Sequence, residues 1–299
     1  DKQAAPGAPA SPSQGHTSTS SSHTAGLGDG YEVAVRALQQ LGVKYMFGVV
    51  GIPVTPLASS AQAVGIRFIA MRNEQAAGYA AAAAGYLTGT PAVLLTVSGP
   101  GAIHGIAGLS HATANCWPLI MLSGSCEQGE VGKGAFQEED QVAAVSRHVK
   151  YAGRADRLAD IPTVIAAAYA ASVAGRPGAA YVDIPSNILM TRLPGGSGAQ
   201  EALAKLALPP VQRPRPSACE QAVQAAAQLL RGAARPLLVV GKGAAQARAE
   251  EVVQVLANRY GIPVLGTAMG RGCVPDDHPL CANAARSLAL GEADVAVVV

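Results

Sequence analysis

The chain has 299 residues and a formal net charge of +2, a length that suits about two domains. Apolar residues make up 49% of the sequence and charged residues only 14%, so a sizeable core can form and charge on the surface is sparse. Because no basic cluster is interleaved with aromatic residues, we expect no binding to nucleic acid. No apolar run reaches the roughly 18–20 residues that span a bilayer, so we expect no membrane segment.

The cysteines and histidines predict neither a disulfide scaffold nor a zinc site. The 5 cysteines are odd in number and contain no CxxC pair, which is typical of proteins from a reducing compartment. The 6 histidines show no HxxxH or HExxH spacing, so we expect no zinc site built from protein ligands alone. An intracellular location is therefore expected.

The two ends of the sequence differ from those of a complete domain. Residues 1–28 consist mainly of Ser, Ala, Gly, Pro and Thr, and we expect a disordered tail because so little can be buried. The first residue is Asp1, and residues 295–299 form an apolar run typical of a buried strand. We expect a fragment whose C-terminal portion is absent.

Residues 29–190 alternate between strand and helix patterns. Helical spacing covers residues 31–41, and an Ala-rich helix is predicted over 74–88. The predicted strands lie at 44–50, 66–71, 92–97, 118–122, 148–152 and 179–184. Strands that alternate with helices predict an α/β domain with a parallel sheet covered on both faces.

A second α/β unit is predicted after a linker. Residues 191–216 are rich in Pro and Gly, which is typical of a connection between domains. In residues 217–299 we predict helices over 218–230 and 244–260 and strands over 236–240, 262–265 and 293–299. The turn Gly241-Lys242-Gly243 lacks the third glycine of a dinucleotide motif and the ending of a Walker A motif, so it is weak evidence for a nucleotide site.

Glu74 stands where an apolar run becomes polar and then helical. A carboxylate in this position usually only complements the start of a helix. Two glycine-containing turns, at residues 47–53 and 98–101, follow predicted strands and should meet at the same sheet edge, where parallel sheets bind ligands. Glycine lets the backbone approach a ligand, and the helix that follows Gly101 offers free N–H donors. The sequence thus predicts a ligand site around Glu74.

Two further polar segments are predicted to have local roles. A glycine-rich stretch between residues 124 and 138 is typical of a loop that becomes ordered near a site. Glu138, Glu139 and Asp140 are predicted to complement the start of a helix. Gly28-Asp29-Gly30 precedes the first predicted helix, and we interpret it as a helix-entry turn.

From about residue 31 to residue 299 the chain resembles the 2-hydroxyacyl-CoA lyase family, particularly its plant and algal form. The segments that carry the resemblance are MFGVVGIPVT, NEQAAGYAAAAAGYLTG, LLTVSGPGAIHGIAGL, GAFQE, AGRPG, GKGAA and ADVAVVV. The resemblance implies a thiamine diphosphate pyrimidine-binding domain over 29–190 and an incomplete Rossmann-like central domain over 217–299. A third domain, which would hold the diphosphate and Mg²⁺, is expected in the absent portion. Gly28-Asp29-Gly30 does not match that family's Mg²⁺ motif, because the first Asn after it, Asn73, is too far along the chain.

The resemblance also implies roles for individual residues. Glu74 is expected to hydrogen-bond N1′ of the aminopyrimidine of thiamine diphosphate and to favour the tautomer that acts as a base. The other residues expected to line the cofactor site are Val50, Gly51, Pro100 and Gly101, with Phe136 and Gln137 as catalytic neighbours. The implied reaction is cleavage of a 2-hydroxyacyl-CoA to formyl-CoA and an aldehyde.

Several alternatives stay open at this point. Oxalyl-CoA decarboxylases carry Tyr-Glu where this chain has Phe136-Gln137, and acetolactate synthases share the Phe-Gln pair but differ at the 47–53 turn. A non-catalytic nucleotide-binding protein would also fit. Arg176 and Lys242 match positions that contact an ADP moiety in the decarboxylase, and Asn283 and Arg286 are expected near the CoA substrate. The resemblance further implies a homodimer or homotetramer and a peroxisomal or cytoplasmic location.

Overall fold

The computed structural model describes residues 28–193 and 217–299. The first of these segments forms a six-stranded sheet in which all neighbouring strands are parallel, and helices cover both faces. The predicted α/β class with a parallel sheet is confirmed. Nearly all of the predicted tail over 1–28 and of the predicted linker over 191–216 lies outside the described residues, and the predicted domain bounds stay predictions.

The strands of the large sheet are ordered β2-β1-β3-β4-β6-β5. They are β1 (Tyr45–Gly48), β2 (Arg67–Ala70), β3 (Ala92–Thr96), β4 (Leu119–Ser125), β5 (Tyr151–Arg154) and β6 (Ala179–Pro185). The helices are α1 (Gly30–Gln40), α2 (Thr55–Ala63), α3 (Glu74–Thr88), α4 (Pro100–Asn115), α5 (Gln141–Val145), α6 (Ile161–Val173) and α7 (Ser186–Met190). The central strands are buried on both faces, so β3 is apolar at nearly every position instead of alternating.

The core lies in two layers, one on each face of the sheet. Helices α1, α2 and α6 pack on one face, against side chains such as Val93 and Leu95 of β3. Helices α3, α4 and α5 pack on the other, against the intervening Leu94. This arrangement is the one that right-handed crossovers between parallel strands produce for this strand order.

Helices α3 and α4 approach each other closely at two glycines. A Cβ added to Gly78 of α3 would lie 2.8 Å from the Cα of Gly108 of α4, so a larger side chain at either position would separate the helices. The Ala-rich sequence of α3 permits this approach along its length. As a result the N-termini of the two helices lie side by side at the carboxyl edge of the sheet.

Residues 217–299 form a smaller parallel sheet of order β8-β7-β9. Its strands are β7 (Pro236–Val240), β8 (Val264–Gly266) and β9 (Val295–Val298), and its helices are α8 (Glu220–Gly232), α9 (Lys242–Ala247), α10 (Glu250–Tyr260) and α11 (Arg286–Glu292). Helices α10 and α9 and strands β7 and β8 enclose a separate small core. Across the described ranges, no helix combines the length and apolar character required to cross a membrane.

Two predicted elements differ from those observed. The predicted helix over 244–260 is two helices, because Arg248 has a positive φ of 55° and ends α9 as a left-handed C-cap. The strand predicted over 148–152 begins instead at Tyr151, because Ser146–His148 form a turn of 3₁₀ helix before the chain joins β6. Asp29 does cap the first helix, its side chain accepting a hydrogen bond from the Glu32 amide at 2.9 Å, so that interpretation is confirmed.

Candidate functional site

A crevice opens at the carboxyl edge of the sheet between β1 and β3. These strands are neighbours, but the chain leaves β1 toward α2 on one face and leaves β3 toward α4 on the other. Ligands of open parallel sheets bind at this kind of switch point. The two turns predicted to meet there, at residues 47–53 and 98–101, do so.

Glycines in both turns are required by their contact with Val97. A Cβ added to Gly51 would lie 2.7 Å from Val97 Cγ1, and one added to Gly101 would clash with Val97 Cγ2. Val97 therefore fills the space between the turns, and the absence of a Cβ lets the backbone of each turn pack against it. Val50, beside Gly51, is 41% exposed, while Pro100 is the first residue of α4.

Glu74 is the first residue of α3, but it does not cap the helix. The cap is Asn73, whose side-chain oxygen accepts a hydrogen bond from the Ala76 amide at 2.9 Å. Helix capping therefore does not explain the presence of Glu74, because its neighbour Asn73 already caps the helix. The Glu74 side chain is only 13% exposed, which is low for a carboxylate at a helix start.

The two oxygens of the Glu74 carboxylate have different surroundings. Oε2 lies 3.3 Å from Nδ1 of His104 on α4. Oε1 faces the backbone of Gly101, 3.7 Å from the position that a Cβ there would take. Among the described residues nothing hydrogen-bonds to Oε1, so this oxygen can serve a ligand in the crevice.

Gln137 contacts the turn that begins α4. Its backbone has a positive φ of 55°, and its Oε1 accepts a hydrogen bond from the Ser98 hydroxyl at 3.1 Å. Gly99 also has a positive φ, 56°, and a Cβ there would lie 2.7 Å from the Gln137 carbonyl oxygen. The predicted site residue Gln137 is therefore brought to the crevice, and neighbouring Phe136 is 73% exposed.

The buried side chain of Gln141 fixes the same turn from below. Its Oε1 accepts a hydrogen bond from the Gly99 amide at 2.6 Å. Its Nε2 donates to the Gly124 carbonyl at 3.1 Å and to the Tyr181 hydroxyl at 2.8 Å. One amide side chain thus joins the turn after β3 to strands β4 and β6.

Glu138 organises the glycine-rich loop instead of complementing a helix. Its carboxylate accepts hydrogen bonds from the amides of Gly132, Gly134 and Ala135. These hydrogen bonds, that of Gly132 first, lower the pKa of Glu138. The expected role at a helix start belongs to Asp140 alone, which accepts from the Ala143 amide at 3.0 Å.

An open cavity of about 530 Å³ adjoins the crevice. Its lining residues come from the start of α4 and from the loop before α5: Gly99, Pro100, Ile103, His104, Ala135, Gln137, Glu138 and Glu139. Gln137 and His104 thus line a space large enough for part of a substrate. Within residues 28–193 and 217–299, no group of three or more His, Cys, Asp or Glu side chains is placed to hold a metal ion.

Arg176 and Lys242 both contact the C-terminal end of α4, whereas Glu74 lies beside the N-terminal end of that helix. Arg176 Nε donates to Cys116 Sγ at 2.7 Å, and Lys242 Nζ donates to the Ala114 carbonyl at 3.2 Å. Gln246 donates to the Cys116 carbonyl at 2.7 Å. The two predicted phosphate-binding cations therefore lie at the same end of α4, where the small unit contacts the large one.

Asn283 and Arg286 lie elsewhere, in the small unit. Asn283 Oδ1 accepts from the Gly266 amide at 2.8 Å, and its Nδ2 donates to Asp276 at 2.9 Å. Both polar ends of this side chain are thus used in holding the loop after β8. Arg286 begins α11 and is exposed.

Reasoning from the sequence missed three residues at these sites: His104, Gln141 and Arg248. His104 is the fifth residue of α4, so its proximity to Glu74 follows only once α3 and α4 are known to pack side by side. Gln141 follows an acidic run and has no distinguishing pattern. Arg248 lies inside continuous helical spacing, which hides the break at that residue.

Comparison with known proteins places the chain among thiamine-dependent enzymes. Residues 28–145 match the thiamine pyrophosphate enzyme N-terminal TPP-binding domain, and residues 223–299 match the central domain of the same enzymes. The chain is 56% identical over 274 residues to a 2-hydroxyacyl-CoA lyase of Oryza sativa subsp. japonica, covering 91% of this chain and 48% of that protein. It is 50% identical over 271 residues to the lyase of Arabidopsis thaliana, covering 91% of this chain and 47% of that protein.

A second activity appears among the relatives. The chain is 42% identical over 275 residues to the oxalyl-CoA decarboxylase of Escherichia coli (strain K12), covering 91% of this chain and 48% of that protein. The chain thus spans about half the length of the curated relatives it matches. Two matched domains in their family order, together with these identities, show that the chain belongs to the thiamine pyrophosphate enzyme family.

Proposed function

We propose that the protein containing this chain is a thiamine diphosphate-dependent lyase that cleaves 2-hydroxyacyl-CoA to formyl-CoA and an aldehyde. The observation that carries this proposal is the state of Glu74. Asn73 caps the helix, His104 contacts one carboxylate oxygen, and the other oxygen faces the crevice. A nearly buried carboxylate with one free oxygen suits a ligand that offers a ring nitrogen and shares a proton with it.

The residues around the crevice fit the aminopyrimidine of thiamine diphosphate. Glycine at positions 51 and 101 lets both turns pack against Val97, which brings the two turns together at the edge of the sheet where the ring would bind. The cofactor supplies an electron sink for breaking a carbon–carbon bond beside a carbonyl. The contribution of this chain is Glu74, which holds or moves a proton at N1′ of the pyrimidine, and Val50 and Pro100, which orient the ring.

The Phe136-Gln137 pair favours the lyase over the decarboxylase. Gln137 brings no negative charge to the cavity, and Phe136 has no hydroxyl to donate. Lyases in rice, Arabidopsis and mouse are 56%, 50% and 48% identical to this chain, against 42% for the E. coli decarboxylase. Decarboxylation of oxalyl-CoA stays the second candidate because that relative covers the same 91% of the chain.

Arg176 and Lys242 support a site for the phosphates of CoA or of ADP. Both cations lie at the C-terminal end of α4 and use protein acceptors, Cys116 Sγ and the Ala114 carbonyl, that a phosphate can replace. A homodimer or homotetramer, Mg²⁺ bound by another part of the protein, and a peroxisomal or cytoplasmic location complete the proposal. These last three rest on the resemblance to the lyase family.

The decisive experiment is a parallel assay of the full-length protein on a 2-hydroxyacyl-CoA and on oxalyl-CoA, with thiamine diphosphate and Mg²⁺ added. We expect formyl-CoA and aldehyde from the first substrate at the higher kcat/KM. Faster release of CO₂ from oxalyl-CoA would replace the lyase by the decarboxylase. Activity that survives Glu74→Gln unchanged would remove the assigned role of Glu74 and with it the basis of the proposal.

A further inference from the structure

The contact between His104 and Glu74 joins two helices that begin at the crevice. His104 lies 30 positions after Glu74, and its Nδ1 is 3.3 Å from Glu74 Oε2. It is the one hydrogen-bond partner of this carboxylate in the part of the chain that the structure describes. The ring itself lies on the outside, with its side chain 66% exposed against 13% for Glu74.

The chemistry of the two groups determines which ring nitrogen carries the proton. An ionised carboxylate can only accept a hydrogen bond, so Nδ1 of His104 must be the donor. In the neutral ring, Nε2 is then the acceptor. The contact therefore predicts the Nδ1–H tautomer of His104, which NMR can distinguish from the Nε2–H tautomer.

The fold holds the donor in place. His104 lies one turn into α4, whose start is fixed through the Gly99 amide by buried Gln141. One turn further along, Gly108 keeps α4 against Gly78 of α3. The separation of the two helix backbones is thus set by packing on both sides of the contact, and only side-chain rotation is left free.

We propose that His104 is a positioning residue for Glu74. It donates from Nδ1 to Oε2, and so keeps Oε1 turned toward the backbone of Gly101 and the crevice. The inference rests on the proposed function in so far as Glu74 serves the cofactor there. Without this donor the carboxylate can rotate, and the productive orientation of Oε1 becomes one of several.

The tautomer of His104 tests the contact in the full-length protein without any cofactor. Long-range ¹⁵N–¹H correlation spectra assign the protonated nitrogen of each neutral histidine ring. We expect the Nδ1–H form at His104, and a change to the Nε2–H form in Glu74→Ala. A wild-type spectrum with the proton on Nε2 would overturn the inference. His111, on the same helix, has its ring nitrogens Nδ1 and Nε2 3.3 and 3.5 Å from Nδ2 of Asn115 and provides the internal reference.

Three substitutions in the full-length enzyme separate positioning from other roles. The side-chain nitrogen of Asn falls near the place of Nδ1, whereas that of Gln falls near Nε2. We expect His104→Asn to retain kcat within about 3-fold, and His104→Ala and His104→Gln to lose about 10- to 100-fold, the factor associated with a hydrogen bond to a charged group. A loss confined to the KM for the acyl-CoA, with kcat unchanged, would overturn positioning and assign His104 to the cavity that it lines.

The outcomes distinguish this inference from the proposed function. If His104→Ala matches the wild type while Glu74→Gln is inactive, the function stands and the positioning role is wrong. If His104→Asn is as poor as His104→Ala, positioning is likewise overturned, because Asn restores the donor but cannot relay a proton. A correct tautomer in a full-length protein without thiamine-dependent activity would refute the function and leave the contact standing. His111→Asn is the matched control and should keep full activity.

Discussion

The Arg248 guanidinium lies over the Tyr86 ring and donates hydrogen bonds to the C-terminal end of α3, the helix that contains Tyr86. The guanidinium carbon is 5.7 Å from the centre of the Tyr86 ring, and Nη2 donates to the carbonyl oxygens of Tyr86 and Leu87 at 3.1 and 3.0 Å. A cation at the last carbonyls of a helix is stabilising because those groups have no partners within the helix. Here the cation comes from the small unit and the helix from the large one.

We therefore predict that Arg248→Ala loosens the attachment between the two units. Two hydrogen bonds from a charged donor and a cation–π contact are lost together, and the change should cost about 1–3 kcal/mol in the stability of the docked arrangement. Amide hydrogen exchange should then become faster at the C-terminal end of α3, around Leu87, and around Gln246. The core of β3 and β4 should exchange as in the wild type.

Arg259 provides a matched control for this prediction. Its guanidinium also lies 5.7 Å from a tyrosine ring, that of adjacent Tyr260, but this contact is local to α10. Arg259→Ala should leave exchange at Leu87 and Gln246 unchanged. An equal effect of the two substitutions would show that the contact of Arg248 does not hold the units together.

Gly99 is predicted to tolerate no side chain. Its φ of +56° is unfavourable for L-residues, and a Cβ would also meet the Gln137 carbonyl at 2.7 Å. Gly99→Ala should lower the free energy of unfolding by about 2–4 kcal/mol, the sum of backbone strain and a displaced loop. Urea titration measures this change.

Gly42→Ala distinguishes the cost of backbone strain from the cost of displacing a loop. Gly42 too has a positive φ, 81°, but no atom lies within 4 Å of the position of its Cβ. Gly42→Ala should therefore show the strain alone, about 1–2 kcal/mol. If the two variants lose the same stability, the contact of Gly99 with Gln137 contributes nothing measurable.

The sheet and its turns could be predicted because their signals are local. The apolar residues of β3 lie between Pro91 and Ser98, and glycines mark the turns on both sides of the crevice. Glu74 could be singled out only through these neighbours, since its own position at a helix start is typical of a cap. That Asn73 takes the cap is visible in the structure and has no separate sequence signal.

Contacts between distant segments could not be predicted, because no spacing rule relates their residues. Arg248 interrupts a continuous helical pattern, and its partner Tyr86 lies 162 residues earlier in the chain. Gln141 and Gly99 are separated by 42 positions, and an amide side chain has no preferred partner. Such pairs become visible only when the layers of the fold have been placed.

Glu138 gives the glycine-rich loop a predictable dependence on pH. Its folded pKa is lowered by the amides of Gly132, Ala135 and Gly134, so the carboxylate stabilises the loop fully above its unfolded pKa. This stabilisation is lost as the pH falls through the lower, folded pKa. Amide exchange at Gly132 and Gly134, corrected for intrinsic rates, should accelerate over that acidic range and not above it.

Glu138→Gln should accelerate exchange at these amides even at neutral pH, because a neutral oxygen is a weaker acceptor. Glu130→Gln is the control from the same loop. In the described part of the chain the Glu130 side chain pairs with exposed Lys133 at 3.4 Å, and such surface pairs contribute little. If Glu130→Gln loosens the loop as much as Glu138→Gln does, the loss of one negative charge, and not the three hydrogen bonds, is responsible.

Asp183 should show the opposite dependence on pH. Burial raises its pKa, against smaller opposing effects of the Ser125 hydroxyl and the Arg154 guanidinium. The folded state therefore binds the proton more tightly than the unfolded state does. The resulting stability is fully present below the unfolded pKa and is lost as the pH rises through the folded pKa. At neutral pH the buried charge is a cost, and Asp183→Asn should increase the free energy of unfolding there.

Arg154 keeps a partner in that variant, because its Nε lies 3.2 Å from Asp156. Asp160→Asn is a comparison variant for which the change in the free energy of unfolding at neutral pH should have the opposite sign. The hydrogen bond from Arg157 lowers the pKa of Asp160, so this substitution should destabilise at neutral pH and have no effect once the pH is below the folded pKa. Urea titrations of both variants from pH 7 down to an acidic pH below the folded pKa of Asp160 check the two signs. A loss of stability in Asp183→Asn at pH 7 would mean that the pairing of Asp183 with Arg154 outweighs the cost of its burial.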